Sequence, residues 1–209
     1  MSGEPVLWDV DTQVDFVLSA GKLAVPGAEE LVPQMERLVT WARKAGIVHV
    51  ASADDHELTD PEIVDDPDWE NTFPAHCLRG TPGASKVAVT AQRDPLPLSL
   101  TPYPPGLVAE LIRDRREILV LKKSFDVFTN PNAAPMLEAL DPSEAIVFGV
   151  ATDVCDDAAI VGLLVRGRRV AFVQDAARGL DEVRTAACLA RWREAGVRFT
   201  TTDEVVARG

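Results

Sequence analysis

Cys155 stands where nucleophilic chemistry is favoured. It follows the apolar run Ala145–Val150 after a short turn, and a helix is predicted to begin at or next to it. A thiol at a helix N-terminus faces unpaired N–H groups and the positive end of the helix dipole, which lower its pKa. The same N–H groups stabilise an oxyanion. We therefore predict a nucleophile, with Lys122 as the cation that offsets the neighbouring Asp156 and Asp157.

A loop after the second apolar run holds one carboxylate and two imidazoles. Asp54 and His56 are followed twenty residues later by His76, and the chain has only 3 histidines. Three protein ligands that leave coordination positions open are typical of a catalytic metal site. Spacing alone also fits a polar loop with two unrelated histidines, which is the commoner case. His49 lies inside a predicted strand, where we expect it to be packed or hydrogen-bonded.

The remaining cysteines and acids have simpler interpretations. Cys188 lies among small and apolar residues of a predicted helix, which indicates a core position. Cys77, in the histidine-containing loop, is an alternative nucleophile, but no strand-to-helix turn activates it. Asp9 and Asp15 flank Asp11 after the first strand, where aspartate commonly serves turns and caps.

Apolar runs alternate with amphipathic stretches along the chain. Strands are predicted at 5–10, 47–51, 117–121, 145–150, 170–174 and 197–201, and helices at 29–44, 107–116, 133–140, 156–166 and 181–195. Nearly unbroken apolar strands between helices indicate a three-layer α/β/α sandwich around a six-stranded, mainly parallel sheet. Ligands of such sheets bind beyond the carboxyl ends of the strands, which is where the residues above are predicted to lie.

Composition narrows the function classes. The net charge is -12 and no basic patch is visible, which argues against nucleic acid and anionic membranes as partners. No apolar run is long enough for a transmembrane helix, and the polar residues 1–4 are not typical of a signal peptide. We therefore expect a cytoplasmic protein with reduced cysteines and a single domain over residues 1–209.

The Pro-rich stretch 94–105 is predicted to be an irregular surface excursion that covers the site or joins an oligomer contact.

Together, the residues at the strand ends resemble the nicotinamidase/isochorismatase-like cysteine hydrolase family, nearest to its nicotinamidase (pyrazinamidase) branch. The resemblance is carried by Asp11 in VDTQVDF, Asp54 and His56 in ASADDH, His76 in FPAHCLRGTPGA, Lys122 in LKKSFDVF and Cys155 in GVATDVC. These motifs occur in the family's order over most of the chain, and they imply the isochorismatase-like hydrolase fold.

The resemblance also implies roles for individual residues. These are a catalytic triad of Asp11, Lys122 and Cys155, an oxyanion hole from the N–H groups of Ala151 and Cys155, metal ligands Asp54, His56 and His76, and substrate contacts Phe16, Phe73 and Val150. Lys122 is preferred to Lys123 because its spacing to Phe128 matches the family. The implied metal is divalent, zinc first and iron or manganese otherwise. The peptide between Val150 and Ala151 is implied to be cis, which is rare without proline.

The implied activity is release of ammonia from a small amide, nicotinamide first, by a homo-oligomeric enzyme. Two alternatives stay open: a related amidase for a carbamoyl, ureido or biuret-like compound, and a non-catalytic small-molecule binder, because a fold does not fix a function. The chain lacks the Arg that nicotinamidases usually have before the residue matching Asp54, and it has acids at Asp156 and Asp157. These differences bear on the predicted substrate more than on the predicted reaction mechanism. Cys155 argues against isochorismatase activity itself, because vinyl-ether hydrolysis needs no thiol.

Overall fold

A seven-stranded parallel sheet forms the centre of the computed structural model, which describes residues 3–208. The strands are β1 (Val6–Val10), β2 (Val48–Asp54), β3 (Leu96–Leu98), β4 (Glu117–Lys122), β5 (Ala145–Val150), β6 (Val170–Arg178) and β7 (Arg198–Thr200). Their order is β3-β4-β2-β1-β5-β6-β7, and every neighbouring pair is parallel. Met1 and Ser2, part of the polar N-terminal stretch, and Gly209 lie outside the described residues.

Helices cover both faces of this sheet. They are α1 (Val14–Val17), α2 (Val32–Ala45), α3 (Leu107–Ile112), α4 (Ala133–Leu140), α5 (Cys155–Val165), α6 (Glu182–Glu194) and α7 (Thr202–Val206). Side chains alternate across β1, so that Trp8 packs into the core shared with α3 to α6 while Leu7 packs into the core shared with α1, α2 and α7. The predicted three-layer α/β/α architecture is confirmed. Within residues 3–208, no helix is long and apolar enough to span a membrane.

The predicted number of strands was one too few. Leu96–Leu98, inside the Pro-rich stretch, pairs with β4 as the edge strand, so the prediction of an irregular excursion was wrong for these residues. Pro97 has no N–H to donate, and an edge position tolerates that loss. Leu98 is fully buried, which anchors the strand to the core. A strand of three residues with a central proline has no visible apolar period.

Several boundaries differ from the predicted ones in ways that affect the site. β2 continues to Asp54, so that carboxylate belongs to the end of the strand itself. α5 begins at Cys155 rather than one residue later, and β6 runs on to Arg178.

The predictions for His49 and Cys188 are confirmed: His49 lies within β2 with its Nε2 3.3 Å from Asp9 Oδ2, and Cys188 is buried in the core.

Candidate active site

Four neighbouring strands bring four side chains of the predicted site together at the carboxyl edge of the sheet. Asp11 follows β1, and its backbone φ of 48° lies in the left-handed region, which aspartate tolerates. Asp54 ends β2 and is directly in register with Lys122, the last residue of β4. Cys155 opens α5 after β5. The loops contribute little to this convergence, because the strand ends themselves determine it.

Lys122 is the centre of a buried ion cluster. Its Nζ lies 2.9 Å from Asp11 Oδ2 and 3.8 Å from Cys155 Sγ, and it also donates a hydrogen bond to Asp54. Burial alone would lower the pKa of Lys122, but the charges of Asp11 and Asp54 raise it well above its usual range. Lys122 is therefore a permanent cation beside the thiol.

The thiol of Cys155 is held in its neutral form. Burial raises its pKa well above the usual range, and the charges of Asp11 and Asp54 add to this effect while Lys122 opposes it. The sequence predicted the opposite direction from the helix N-terminus. The difference arises because the thiolate would lose nearly all contact with water, and this cost exceeds the benefit of the helix dipole. Nucleophilic attack from this position requires a base.

The backbone between β5 and α5 has an unusual path. The peptide Val150–Ala151 is cis. The carbonyl oxygen of Ala151 accepts the N–H groups of Val154 and Asp156, at 3.0 and 3.1 Å, which fixes the turn below Cys155. As the first residue of α5, Cys155 has an N–H without an acceptor inside the helix. Its N–H and that of Ala151 are the donors predicted for an oxyanion.

Asp54, His56 and His76 form a cluster that fits a metal ion. His76 Nδ1 donates to the carbonyl of Pro74 at 2.8 Å, and His56 Nδ1 lies 3.2 Å from Asp60 Oδ2. These partners leave Nε2 of each ring free, and both Nε2 atoms lie 3.8 Å from Asp54 Oδ2. His56 Nε2 is buried without a hydrogen-bond partner among residues 3–208. Imidazoles held through Nδ1 are characteristic of metal ligands.

Glu62 is a fourth member of this cluster, and its second acid, that the sequence did not single out. Its Oε1 lies 3.9 Å from Nε2 of both His56 and His76. Burial raises the pKa of Glu62. Its position depends on the path of the loop, where Phe73 N donates to Glu62 O at 2.8 Å. No pattern around Glu62 predicts this approach, so sequence reasoning had no signal to use.

Gln13 and Ser52 also support the site and were not predicted. The Gln13 side chain accepts the N–H of Asp54 at 2.7 Å and donates to the carbonyl of the same residue at 2.9 Å. This pair of bonds locks the backbone that carries the Asp54 carboxylate. Ser52 Oγ donates to Asp11 Oδ1 at 2.7 Å, which orients the carboxylate so that Oδ2 faces Lys122. The motif VDTQVDF contains Gln13, but only the acids in it suggested chemistry.

An apolar cavity opens in front of Cys155. Its lining combines mostly apolar side chains with a few polar groups, among them Asp54 and the Cys155 thiol, as is usual for small-molecule sites. The predicted substrate contacts Phe16, Phe73 and Val150 all line it, and so does Leu180. Among the described residues, no lysine or arginine lines this cavity. Its wall therefore favours a neutral, flat ligand over an anionic one.

The other residues considered from the sequence lie in structural contacts. Asp15 accepts the backbone N–H of Cys77 at 2.7 Å, and burial raises the pKa of the Cys77 thiol far above its usual range. Asp9 pairs with Lys86 at 3.0 Å inside the core. Lys123 pairs with the Asp60 carboxylate at 2.7 Å.

Comparison with known proteins agrees with this geometry. The family described as Isochorismatase domain matches residues 6–204. The nicotinamidase of Escherichia coli (strain K12) is 26% identical over an alignment of 191 residues, and the match covers 82% of each chain. The pyrazinamidase of Pyrococcus horikoshii in complex with zinc has a TM-score of 0.73 at 22% identity, covering 95% of this chain and 99% of its own. The N-carbamoylsarcosine amidase from Thermoplasma acidophilum has a TM-score of 0.72 at 21% identity, covering 96% and 97%.

The two solved structures share the fold over nearly their whole length. The family match covers almost all of the residues that the structure describes. The resemblance drawn from the strand-end motifs is confirmed, and the chain is a member of the isochorismatase family of hydrolases.

Proposed function

We propose that the chain is a metal-assisted cysteine amidohydrolase that releases ammonia from a small amide, most directly nicotinamide, through a thioester on Cys155. One observation carries the proposal. A thiol, a carboxylate and a permanent ammonium meet in one buried cluster, with Lys122 Nζ 2.9 Å from Asp11 and 3.8 Å from Cys155, at the polar end of an apolar cavity. The E. coli relative's activity as a nicotinamidase supports the choice of substrate.

In the first half of the reaction, Asp11 takes the proton of the Cys155 thiol as the sulfur attacks the amide carbon. A base is needed because the raised pKa keeps the thiol neutral. Lys122 offsets the negative charge left on the cluster. The carbonyl oxygen becomes an oxyanion facing the N–H groups of Ala151 and Cys155, and each well-placed donor of this kind contributes about 3–4 kcal/mol.

In the second half, the proton on Asp11 moves to the departing nitrogen, the carbon–nitrogen bond breaks and ammonia leaves. The acyl group remains on Cys155 as a thioester. Asp11 then takes a proton from a water molecule, whose oxygen attacks the thioester carbon. The carboxylic acid leaves, and the Cys155 sulfur recovers its proton from Asp11. Asp11 therefore alternates between base and acid while Lys122 keeps its charge.

A divalent ion, zinc first and iron or manganese as alternatives, would be held by Asp54, His56 and His76, with Glu62 beside them. When bound, the ion supplies a Lewis acid that orients a ring nitrogen of the substrate or a water molecule. The two imidazoles are already turned with Nε2 inward by their Nδ1 contacts. The zinc complex of the P. horikoshii relative supports the choice of metal.

A related amidase for a carbamoyl, ureido or biuret-like compound is the second candidate. The fold shared with N-carbamoylsarcosine amidase favours it, because such an enzyme would use the same cluster. The cavity argues for the first candidate, since Phe16 and Phe73 offer flat apolar surfaces suited to an aromatic ring. A non-catalytic binder would gain nothing from a buried thiol between Asp11 and Lys122.

An ammonia-release assay tests the proposal. Wild type, Cys155→Ala and the matched control Cys188→Ala are compared on nicotinamide, pyrazinamide, N-carbamoyl compounds and biuret, with mass spectrometry to detect acylated Cys155. We expect nicotinamide turnover in wild type and in the control and none in Cys155→Ala. Turnover retained in Cys155→Ala would refute the covalent mechanism. Turnover of carbamoyl compounds alone would favour the second candidate.

A further inference from the structure

A groove continues outward from the catalytic cavity. The two spaces share part of their wall, because Phe73, Phe125, Val154 and Leu180 line both. Trp69 lines the groove but not the inner cavity. A ligand whose amide lies at the thiol can therefore extend into the groove without leaving the apolar wall.

Trp69 is held in a conformation that a large side chain seldom adopts. Its φ is 62°, in the left-handed region, and its side chain is 60% exposed. The turn is built around Asp68, whose Oδ1 accepts the backbone N–H groups of Glu70, Asn71 and Thr72 at 2.8 to 2.9 Å. A strained backbone maintained by three hydrogen bonds, with an exposed indole at its tip, suggests a recognition role.

Aromatic rings connect this turn to the inner site. The Trp69 ring lies 6.4 Å from Phe73 at an interplanar angle of 85°. Phe73 in turn lies 5.7 Å from Phe125 and 6.2 Å from His76, both nearly edge to face. These are the distances at which aromatic pairs attract one another. Phe73 thus joins the outer indole to the candidate metal ligand by direct ring contact.

The charges around the groove disfavour an anionic ligand. The groove is lined by Arg184 and by three acids, Glu70, Asp153 and Asp157. Asp153 accepts Arg184 Nε at 3.1 Å, and Asp157 pairs with Arg191 at 2.6 Å. Of these acids, Glu70 has no ion pair within residues 3–208. The net field of the groove is therefore neutral to negative, which suits a neutral apolar group and repels a carboxylate.

We propose that this groove is an outer subsite for an aromatic or aliphatic substituent on the acyl part of the substrate, with Trp69 as its specificity-determining residue. The inference rests on the proposed function, because it assumes that the amide lies at Cys155. It adds that the preferred substrate is larger than a single unsubstituted ring. The substituent packs against the indole, which presents a large rigid surface at low entropic cost.

Steady-state kinetics test the specificity. The substrates are nicotinamide, a nicotinamide with a phenyl group meta to its amide, and the corresponding carboxyphenyl compound. We expect wild type to prefer the phenyl compound by kcat/KM and to disfavour the carboxyphenyl one. Trp69→Ala should reduce the phenyl-to-unsubstituted ratio of kcat/KM by about tenfold, mainly through KM, and Trp69→Phe should restore part of it. Val165→Ala, an exposed residue of α5 away from both cavities, should leave the ratio unchanged.

A binding measurement provides a readout that does not depend on turnover. Trp69 is 60% exposed, whereas Trp8, Trp41 and Trp192 are at most 7% exposed, so acrylamide quenches mainly Trp69. In Cys155→Ala, we expect the phenyl compound to protect the fluorescence from acrylamide more strongly than nicotinamide does. In Cys155→Ala/Trp69→Phe, this protection should disappear.

The outcomes separate the two proposals. If no amide is hydrolysed but the phenyl compound still protects Trp69, the proposed function fails and the subsite stands. If Trp69→Ala lowers kcat/KM equally for both substrates and no protection is seen, Trp69 is only structural and the subsite proposal is wrong. It is equally wrong if Trp69→Ala leaves the ratio unchanged and instead dissociates an oligomer in gel filtration, because Trp69 then belongs to a subunit interface.

Discussion

Asp156 is a buried carboxylic acid directly after the proposed nucleophile, and its replacement should change how stability depends on pH. It is 0% exposed, and neither carboxyl oxygen has a hydrogen-bond partner among residues 3–208. Burial, and after it the charge of Asp11, raises the pKa of Asp156 well above its usual range. Asp156 therefore holds its proton more tightly in the folded protein than in the unfolded chain.

The sign of the effect follows from proton binding in the two states. In the unfolded chain the Asp156 carboxyl loses its proton near its ordinary pKa of about 3.9, while the folded chain retains it. Between these two pKa values the folded state binds one more proton, so stability falls as pH rises, by about 1.4 kcal/mol per pH unit. The loss continues up to the pKa of the folded state, and its direction follows from the raised pKa of Asp156.

Asp156→Asn and Asp156→Val remove this titration. We expect Asp156→Asn to match wild type below about pH 4 and to become more stable than wild type above it, by about 1.4 kcal/mol per pH unit until the folded pKa is reached. Asp156→Val should be more stable at every pH, by a further about 1–3 kcal/mol, because it also removes an unsatisfied buried polar group. Ammonia release by Asp156→Asn should persist, because an amide preserves the neutral state beside Cys155.

Urea unfolding followed by circular dichroism at several pH values measures the free energy of unfolding of each variant. Asp157→Asn is the control, because Asp157 is only half-buried and pairs with Arg191, so it reports the effect of removing any carboxylate from this turn of α5. If wild type and Asp156→Asn stay parallel over the whole range, Asp156 is ionised or hydrogen-bonded in the folded protein and the reasoning is wrong.

Three further predictions follow from single contacts. Lys122→Met should abolish ammonia release and lower the free energy of unfolding by about 3–5 kcal/mol, because it leaves two buried carboxylates unpaired. The control Lys123→Met removes a part-exposed ion pair and should cost at most about 1 kcal/mol in the same urea titration. Glu62→Gln should weaken zinc binding by about 10- to 100-fold in a competition titration with a chromogenic chelator; unchanged affinity would place Glu62 outside the metal site. Gly162→Ala should lower the melting temperature, since a Cβ at this position would lie 2.3 Å from the Phe128 ring and overpacking costs about 1–3 kcal/mol.

The central strands were predictable because each is a short run of apolar residues, which indicates a strand buried on both faces. Once those runs are assigned to one parallel sheet, the strand ends must share an edge, and this places Asp11, Asp54, Lys122 and Cys155 together. β3 was not predictable in the same way. Its three residues have no period of their own, and their extended form depends on pairing with β4.

The role of Glu62, in the long loop after β2, could not be predicted for a related reason. Glu62 reaches the two histidines only because the chain turns at Asp60 and then pairs beside Phe73, through Ile63 N to Asp60 O at 3.0 Å and Phe73 N to Glu62 O at 2.8 Å. These contacts join residues in a segment without regular elements. Local sequence therefore indicates that acids are present in this loop but not which one faces the two histidines.

The direction of the Cys155 pKa shift was mispredicted because the position at a helix N-terminus does not reveal how deeply the thiol is buried. Its raised pKa also explains why the proton should stay inside the cluster. Loss of the Cys155 proton to solvent would add a negative charge to a buried group that already contains the carboxylates of Asp11 and Asp54 and only one ammonium, Lys122. Transfer from sulfur to Asp11 moves the charge without increasing it, so the cost of desolvation stays nearly constant. The raised pKa of Asp156 has the same effect, since ionisation of this carboxyl would place a further negative charge beside the proposed base.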